Sequence, residues 1–147
     1  MNINKHSAML RIATVILIFS LVLPLAVSAS GIESRASAYL DSYGAYVYLP
    51  GDGEVRVYFN VQGTGMMDEL GVLRIELYES TDGINWTGVK VFKHYTTAGM
   101  LSYNDDYHSG HVSYSGVAGR YYKAYICVWG GKDGAGDTRY FWTSMKH

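Results

Sequence analysis

The residues of metal-binding type in this sequence cluster between Asn104 and His111. His108 and His111 have His-x-x-His spacing, and Asp106 could add a carboxylate oxygen, a ligand set that zinc accepts. Residues three apart on a strand point to opposite faces, so the two histidines could share an ion only on an irregular loop. A solvated loop without metal is the favoured interpretation, and no cofactor is expected.

No arrangement in the sequence is typical of nucleophilic or acid–base catalysis. There is no nucleophile elbow, the acidic residues stand mostly singly, and the single cysteine, Cys127, lies in a predicted strand beside Trp129. The glycine-rich segment 130–137 lacks the spacing of a phosphate-binding loop and has too few oxygen ligands for calcium. We therefore expect no catalytic residues and no enzymatic activity, with a small extracellular hydrolase or metal-dependent enzyme as an alternative.

Aromatic residues are the most distinctive part of the composition, since all 14 Tyr and all three Trp follow residue 29. Tyr and Trp rings stack on sugars or anchor protein partners. The rings predicted to bind a ligand, provided that they share one sheet face, are Tyr58, Tyr78, Tyr121, Tyr125 and Trp129. Tyr46 and Tyr48 also point away from the predicted core, and Arg56, Arg74 and Lys123 fringe the surface. The alternative is that tyrosines merely favour strands and decorate two sheets separately.

Alternation of apolar and polar residues predicts the strands that would position these rings. It is clearest over residues 54–62, where Val55, Val57, Phe59 and Val61 share one face. Six more strands are predicted over residues 36–49, 73–78, 89–95, 107–115, 121–129 and 138–143. The alternation slips by one residue in the first strand, which predicts a bulge between Asp41 and Gly44, at or near Gly44. Turns are predicted at residues 50–53, 63–65, 81–83, 118–119 and 130–136.

About seven short strands separated by such turns are typical of an all-β antiparallel two-sheet sandwich of the immunoglobulin or fibronectin III type. A closed barrel is the alternative. Two local motifs fit the sandwich. Residues 79–86 resemble an Asp-box hairpin, in which Asp82 caps the turn, and Tyr122 follows a turn as a tyrosine corner would, with its hydroxyl bonded back to the connecting backbone.

The first 29 residues have the layout of a signal peptide. Lys5 and Arg11 precede an apolar run over residues 12–25, and small residues end the segment, which predicts cleavage after Ala29 and secretion. An uncleaved membrane anchor is the alternative, and no stable membrane insertion is expected after cleavage. Residues 30–147 then form a single domain with a formal charge of 10 − 13 = −3, which argues against a nucleic-acid partner.

Four motifs occur together at residues 64–71, 79–86, 118–124 and 131–134. In this order the chain resembles small exported proteins of Gram-positive bacteria that carry a domain of unknown function. The resemblance implies a bacterial exported single domain and brings no catalytic or ligand residues.

We therefore expect a secreted, non-enzymatic protein that recognises an extracellular glycan or protein through an aromatic sheet face. An inert structural or adhesion subunit that pairs through strand edges is a further alternative. The oligomeric state is left open by the sequence.

Overall fold

A computed structural model describes residues 37–147, which form one antiparallel sheet of six strands. The strands are β1 (Leu40–Gly51), β2 (Glu54–Ser80), β3 (Thr87–Lys93), β4 (Leu101–Ser115), β5 (Tyr121–Lys132) and β6 (Ala135–Trp142). The predicted all-β antiparallel class is confirmed. In the part of the chain that the structure describes, no helix has the length and apolar character needed to cross a membrane. The predicted signal peptide and its cleavage after Ala29 lie outside the described residues.

Strand β2 is 27 residues long and organises the whole sheet. Its residues 54–62 lie between β1 and β4, and we call these three segments the first half of the sheet. Its residues 74–79 lie between β3 and β5, and β6 pairs with the other edge of β5; these four segments form the second half. Because one strand joins both halves, the two separate sheets of an immunoglobulin-like sandwich are not confirmed, and the described strands number six instead of seven.

The turn predicted at residues 63–65 is wrong, since the chain stays extended through this segment of β2. The pairing of β2 with β4 slips in register between Gln62 and Met67, so the glycine-rich middle of the strand places extra residues opposite β4 and the chain does not reverse. Gly71 of β2 allows the backbone of Met100 to approach the strand closely. Its φ is +145°, and a Cβ there would lie 2.3 Å from the carbonyl oxygen of Met100.

One buried cluster collects the inward side chains of both halves. The alternation predicted for residues 54–62 is confirmed, with Phe59 only 3% exposed. The cluster combines Val55, Val57, Phe59 and Val61 of the first half with Ile75, Leu77, Ala124, Ile126 and Val128 of the second. The sheet is therefore curled around one core, in which the apolar side chains of both halves are buried against one another.

The bulge expected in β1 falls between Leu40 and Ser42, at Asp41 and not at Gly44.

Two of the hairpins turn on an Asp-Gly pair. Asp52 and Gly53 have φ values of +52° and +78°, and Asp133 and Gly134 have +52° and +77°. Positive φ at both central residues defines the type I′ turn, which matches the twist of the flanking strands and favours Asp-Gly. The long glycine-rich turn predicted over residues 130–136 thus reduces to two residues, because β5 extends to Lys132 and β6 begins at Ala135.

Candidate functional site

A cluster of rings covers the outward side of the second half of the sheet. The ring of Trp142 lies at its centre, with centroid distances of 5.1 Å to Tyr78 and 4.9 Å to Tyr125. Tyr140 stacks on Tyr125 with a centroid distance of 5.9 Å and an interplanar angle of 21°. We call this surface the aromatic face, and it consists of Tyr78, Trp86, Lys123, Tyr125, Tyr140 and Trp142.

Strand register explains why these side chains meet. Tyr125 of β5 pairs with Trp142 of β6, and Tyr78 of β2 pairs with Lys123 of β5. Side chains directly opposite on neighbouring strands share a face and lie about 4.5–5.5 Å apart at their Cβ atoms. Strand β6 pairs only with β5 among the described strands, and its Tyr140 and Trp142 are 53% and 49% exposed. The aromatic face is therefore most accessible at the β6 edge.

Lys123 ties the face together electrostatically. Its Nζ atom lies 4.1 Å from the ring centroid of Trp86 and 4.6 Å from that of Trp142. A cation over an aromatic ring is attracted by the negative ring face, with a strength of about 0.5–1 kcal/mol at exposed sites. The ammonium group thus contacts both indoles and adds a charged hydrogen-bond donor to the face.

A carboxylate at the margin of the face accepts a hydrogen bond from one neighbouring side chain and forms an ion pair with another. The hydroxyl of Tyr78 donates a 2.8 Å hydrogen bond to Glu76 Oε2, and Arg74 Nε lies 3.0 Å from Glu76 Oε1. The bond to Glu76 raises the pKa of Tyr78 above its usual value. Polar groups that can bond hydroxyls therefore stand beside the rings.

Of the five rings predicted to bind a ligand, the structure brings Tyr78 and Tyr125 together, through Trp142. Tyr58 belongs to a different cluster on the first half, where it stacks on Tyr46 at 5.2 Å and lies 5.0 Å from the ring of His111. The predicted aromatic residues are thus divided between the two halves of the sheet.

The other two predicted rings have local contacts of their own. Tyr121 stacks on the ring of His147 with a centroid distance of 4.1 Å. Trp129 donates from Nε1 to Glu69 Oε2 at 3.2 Å and lies over the backbone of Gly131 and Gly136. Among the described residues, no ring contact joins either residue to the aromatic face.

The residues of metal-binding type lie on a strand and not on the predicted loop, because β4 begins at Leu101. His108 points towards Phe59, at 5.7 Å between rings, and bonds the carbonyl oxygen of Gly99, whereas His111 packs on Tyr58 of the outward side. The two histidines therefore lie on opposite faces, as strand geometry requires. The side chain of Asp106 is exposed, and residues 37–147 contain no group of three or more His, Cys, Asp or Glu placed to hold a metal ion.

Cys127 is packed within the sheet and is only 6% exposed. Burial raises the pKa of its thiol, and Tyr140 lies within hydrogen-bonding reach of the sulfur. A protonated thiol is a poor nucleophile, so Cys127 acts as a small apolar residue beneath the aromatic face.

Sequence reasoning missed the two most exposed rings of this site, Tyr140 and Trp142. A signal for them was present, since they are two residues apart in the strand predicted over residues 138–143 and must share a face. Alternation does not show which strand lies beside this one. The pairing of Tyr125 with Trp142 is what places both rings beside Tyr78.

No protein-family model and no curated protein sequence matches the chain. The crystal structure of Spo0M, a sporulation control protein from Bacillus subtilis, matches with a TM-score of 0.39 and 11% sequence identity, over 70% of this chain and 49% of that one. The chain thus spans about half the length of that protein, and a likeness at this level carries no functional information. The resemblance to small exported Gram-positive proteins has no support from these comparisons beyond the β fold.

Proposed function

We propose that the protein is a non-catalytic recognition module that works outside the cell and binds carbohydrate on the aromatic face. The observation that carries this proposal is the pair Tyr140 and Trp142, two rings on one side of an edge strand that are 53% and 49% exposed. Monomeric proteins rarely leave contiguous apolar surface in water without a use, and flat rigid rings suit stacking on sugars.

Carbohydrate is favoured over protein as the ligand because polar groups stand among the rings. The Lys123 ammonium lies close to two indoles, and Glu76 accepts a hydrogen bond from the hydroxyl of Tyr78 at 2.8 Å. A sugar ring presents C–H groups on its faces and hydroxyls around its rim, so it needs both kinds of contact together. Anchor residues of protein interfaces lie instead in fully desolvated pockets, whereas this face is open.

The extracellular location in this proposal rests on the signal-peptide layout of residues 1–29. We also propose that the sheet is a variant of the immunoglobulin-like sandwich in which β2 serves both layers. The single buried cluster shared by the two halves supports that view.

Affinity electrophoresis of the protein, purified after expression of the full chain, tests carbohydrate binding. The gels contain a neutral glucan, a mannan or an acidic polysaccharide. We expect retardation by at least one polymer, and Trp142→Ala should weaken the association constant about tenfold, which corresponds to about 1.4 kcal/mol. Tyr140→Ala should act in the same direction.

Tyr103→Ala is the matched control, since Tyr103 is a 63% exposed tyrosine of β4 that has no ring contact with the aromatic face. It should bind as the unmodified protein does. Far-UV circular dichroism establishes that each variant is folded. If no polymer retards the protein, or if Trp142→Ala and Tyr103→Ala bind equally well, the proposal is wrong.

A further inference from the structure

A shallow groove borders the aromatic face where β2, β3, β5 and β6 run side by side. Its lining combines three basic side chains with two exposed tyrosines: Arg74, Lys93, His94, Tyr95 and Tyr140. The thiol of Cys127 and the side chain of Leu73 complete it. The groove shares Tyr140 with the aromatic face, so a ligand that lies along that face reaches the basic residues.

The register of the sheet forces two of these cations together. Arg74 of β2 and Lys93 of β3 are direct cross-strand partners, and both side chains are exposed. Like charges directly opposite one another on neighbouring strands destabilise a sheet. Arg74 has a carboxylate partner in Glu76, at 3.0 Å, but Lys93 forms no ion pair within residues 37–147. The pair therefore leaves positive charge uncompensated on a domain whose formal charge is −3.

Aromatic rings lie beside the basic groups of the groove. Lys93 Nζ lies 5.6 Å from the ring centroid of Tyr95, and the rings of His94 and Tyr95 are 5.3 Å apart. Tyr140 on the other side is 53% exposed and offers a second ring. Exposed rings beside a guanidinium and an ammonium can stack on a sugar ring while they bond its charged substituent.

We infer that this groove binds the carboxylate or phosphate group of an acidic polysaccharide whose sugar rings lie on the aromatic face. The inference rests on the proposed function and names its ligand class. Arg74 supplies a planar fork of donors for an oxyanion, and Lys93 supplies a point charge. Acidic polymers are therefore expected to bind more tightly than neutral polymers with the same sugar backbone.

Two pairs of polymers distinguish the sources of the anion. Polygalacturonate is compared with its fully methyl-esterified form, and a phosphorylated mannan with its dephosphorylated form. We expect at least one acidic polymer to bind about tenfold more tightly than its neutral partner, with the difference reduced when NaCl is raised from about 0.05 M to about 0.5 M, because salt screens exposed charges. Equal binding within both pairs would overturn the inference and leave the proposed function standing.

Single substitutions show which side chains cause the preference for acidic polymers. Lys93→Gln should remove most of the preference for the acidic polymer and leave neutral-polymer binding unchanged, and Arg74→Gln should also reduce the preference. Lys90→Gln removes a charge from the same strand, at a position opposite Leu77, and should keep the preference. A preference that survives Lys93→Gln and Arg74→Gln would overturn the inference. An acidic preference that is lost in Lys93→Gln but unaffected by Trp142→Ala would support the groove and contradict the proposed role of the aromatic face.

Discussion

The hydroxyl oxygen of Tyr122 accepts a hydrogen bond from the backbone N–H of Val117 at 2.7 Å, five residues before it in the chain. The same hydroxyl lies 2.7 Å from Glu79 Oε2, to which it donates, and the Tyr122 side chain is 1% exposed. Glu79 also accepts from Arg120. The tyrosine corner predicted from the sequence is thus present, and it ties the connection before β5 to the end of β2.

Tyr122→Phe removes this hydroxyl, so the Val117 N–H and one carboxylate oxygen of the half-buried Glu79 lose their hydrogen bonds to a buried side chain. Since hydrogen bonds to charged groups contribute more than neutral ones, we expect the free energy of unfolding to fall by about 1–2 kcal/mol. Urea denaturation followed by circular dichroism measures the change. Tyr121→Phe is the matched control on the neighbouring residue and should be close to neutral. Equal stabilities of the two variants would contradict the assigned role of the corner.

Phe59 is buried and its neighbour Tyr58 is only half-buried, which predicts unequal costs of truncation. Phe59 is 3% exposed in the shared core, whereas Tyr58 lies on the outward side against Tyr46. Phe59→Ala should lower the free energy of unfolding by about 3–5 kcal/mol, because it removes buried contacts and leaves a cavity. Tyr58→Ala should cost less than half as much. Denaturant midpoints of the two variants that coincide would show the face assignment to be wrong.

The strands and turns of this fold are predicted well where they depend only on residues that are close together in the sequence. Alternation over residues 54–62 predicts a buried Phe59, and the turn predicted over residues 130–136 contains the Asp133-Gly134 turn of the structure, although it is too long. The turn predicted at residues 63–65 is wrong, because glycine occurs both at a chain reversal and at a bulge inside a continuous strand. Only the pairing partners on either side distinguish the two cases, and these lie far away in the sequence.

The candidate site was predicted only in part for the same reason. Alternation showed that Tyr78 and Tyr125 point outward, and the structure confirms that both contact one indole. It could not show that Tyr58 lies in the other half of the sheet, because that depends on the course of β2 between residues 62 and 74. Which outward rings share a surface is a property of strand order, and strand order is not encoded in local periodicity.

The Asp82 carboxylate predicts a pH dependence of stability. It accepts hydrogen bonds from the backbone N–H groups of Asn85 and Ile84, each at 2.8 Å. The bond from Asn85 contributes most to holding the pKa of Asp82 well below its usual range. A group whose folded pKa is depressed stabilises the fold above its unfolded pKa of about 3.9, and this stabilisation is lost as the pH falls towards the folded value.

Asp82→Asn should therefore be less stable than the unmodified protein at pH 7, and the difference should shrink below about pH 4. Urea midpoints at pH 7 and pH 3 provide the comparison. Asp41→Asn is the control, since Asp41 is exposed and has no side-chain hydrogen bond within residues 37–147. A difference between Asp82→Asn and the unmodified protein that is constant with pH would contradict the role of the ionised carboxylate.

The indole of Trp129 covers a pair of glycines that face one another across β5 and β6. Gly131 and Gly136 are cross-strand partners, and a Cβ added at Gly136 would lie 2.3 Å from Trp129 Cη2 and 2.7 Å from the carbonyl oxygen of Gly130. Aromatic side chains laid over strand glycines replace the packing that glycine lacks. The position therefore requires glycine because of the ring above it, and the ring has a structural role there.

Gly136→Ala should displace the indole and lower the free energy of unfolding by about 1–3 kcal/mol, as overpacking does in well-packed sites. Movement of the ring should also change the tryptophan emission, and Trp129→Phe in the same background should abolish that change. Gly65→Ala is the matched control within a strand, because a Cβ at Gly65 meets nothing within 4 Å of it. We expect its stability and emission to stay near those of the unmodified protein. If Gly136→Ala is as stable as Gly65→Ala and has unaltered emission, Trp129 does not cover the glycine pair in solution.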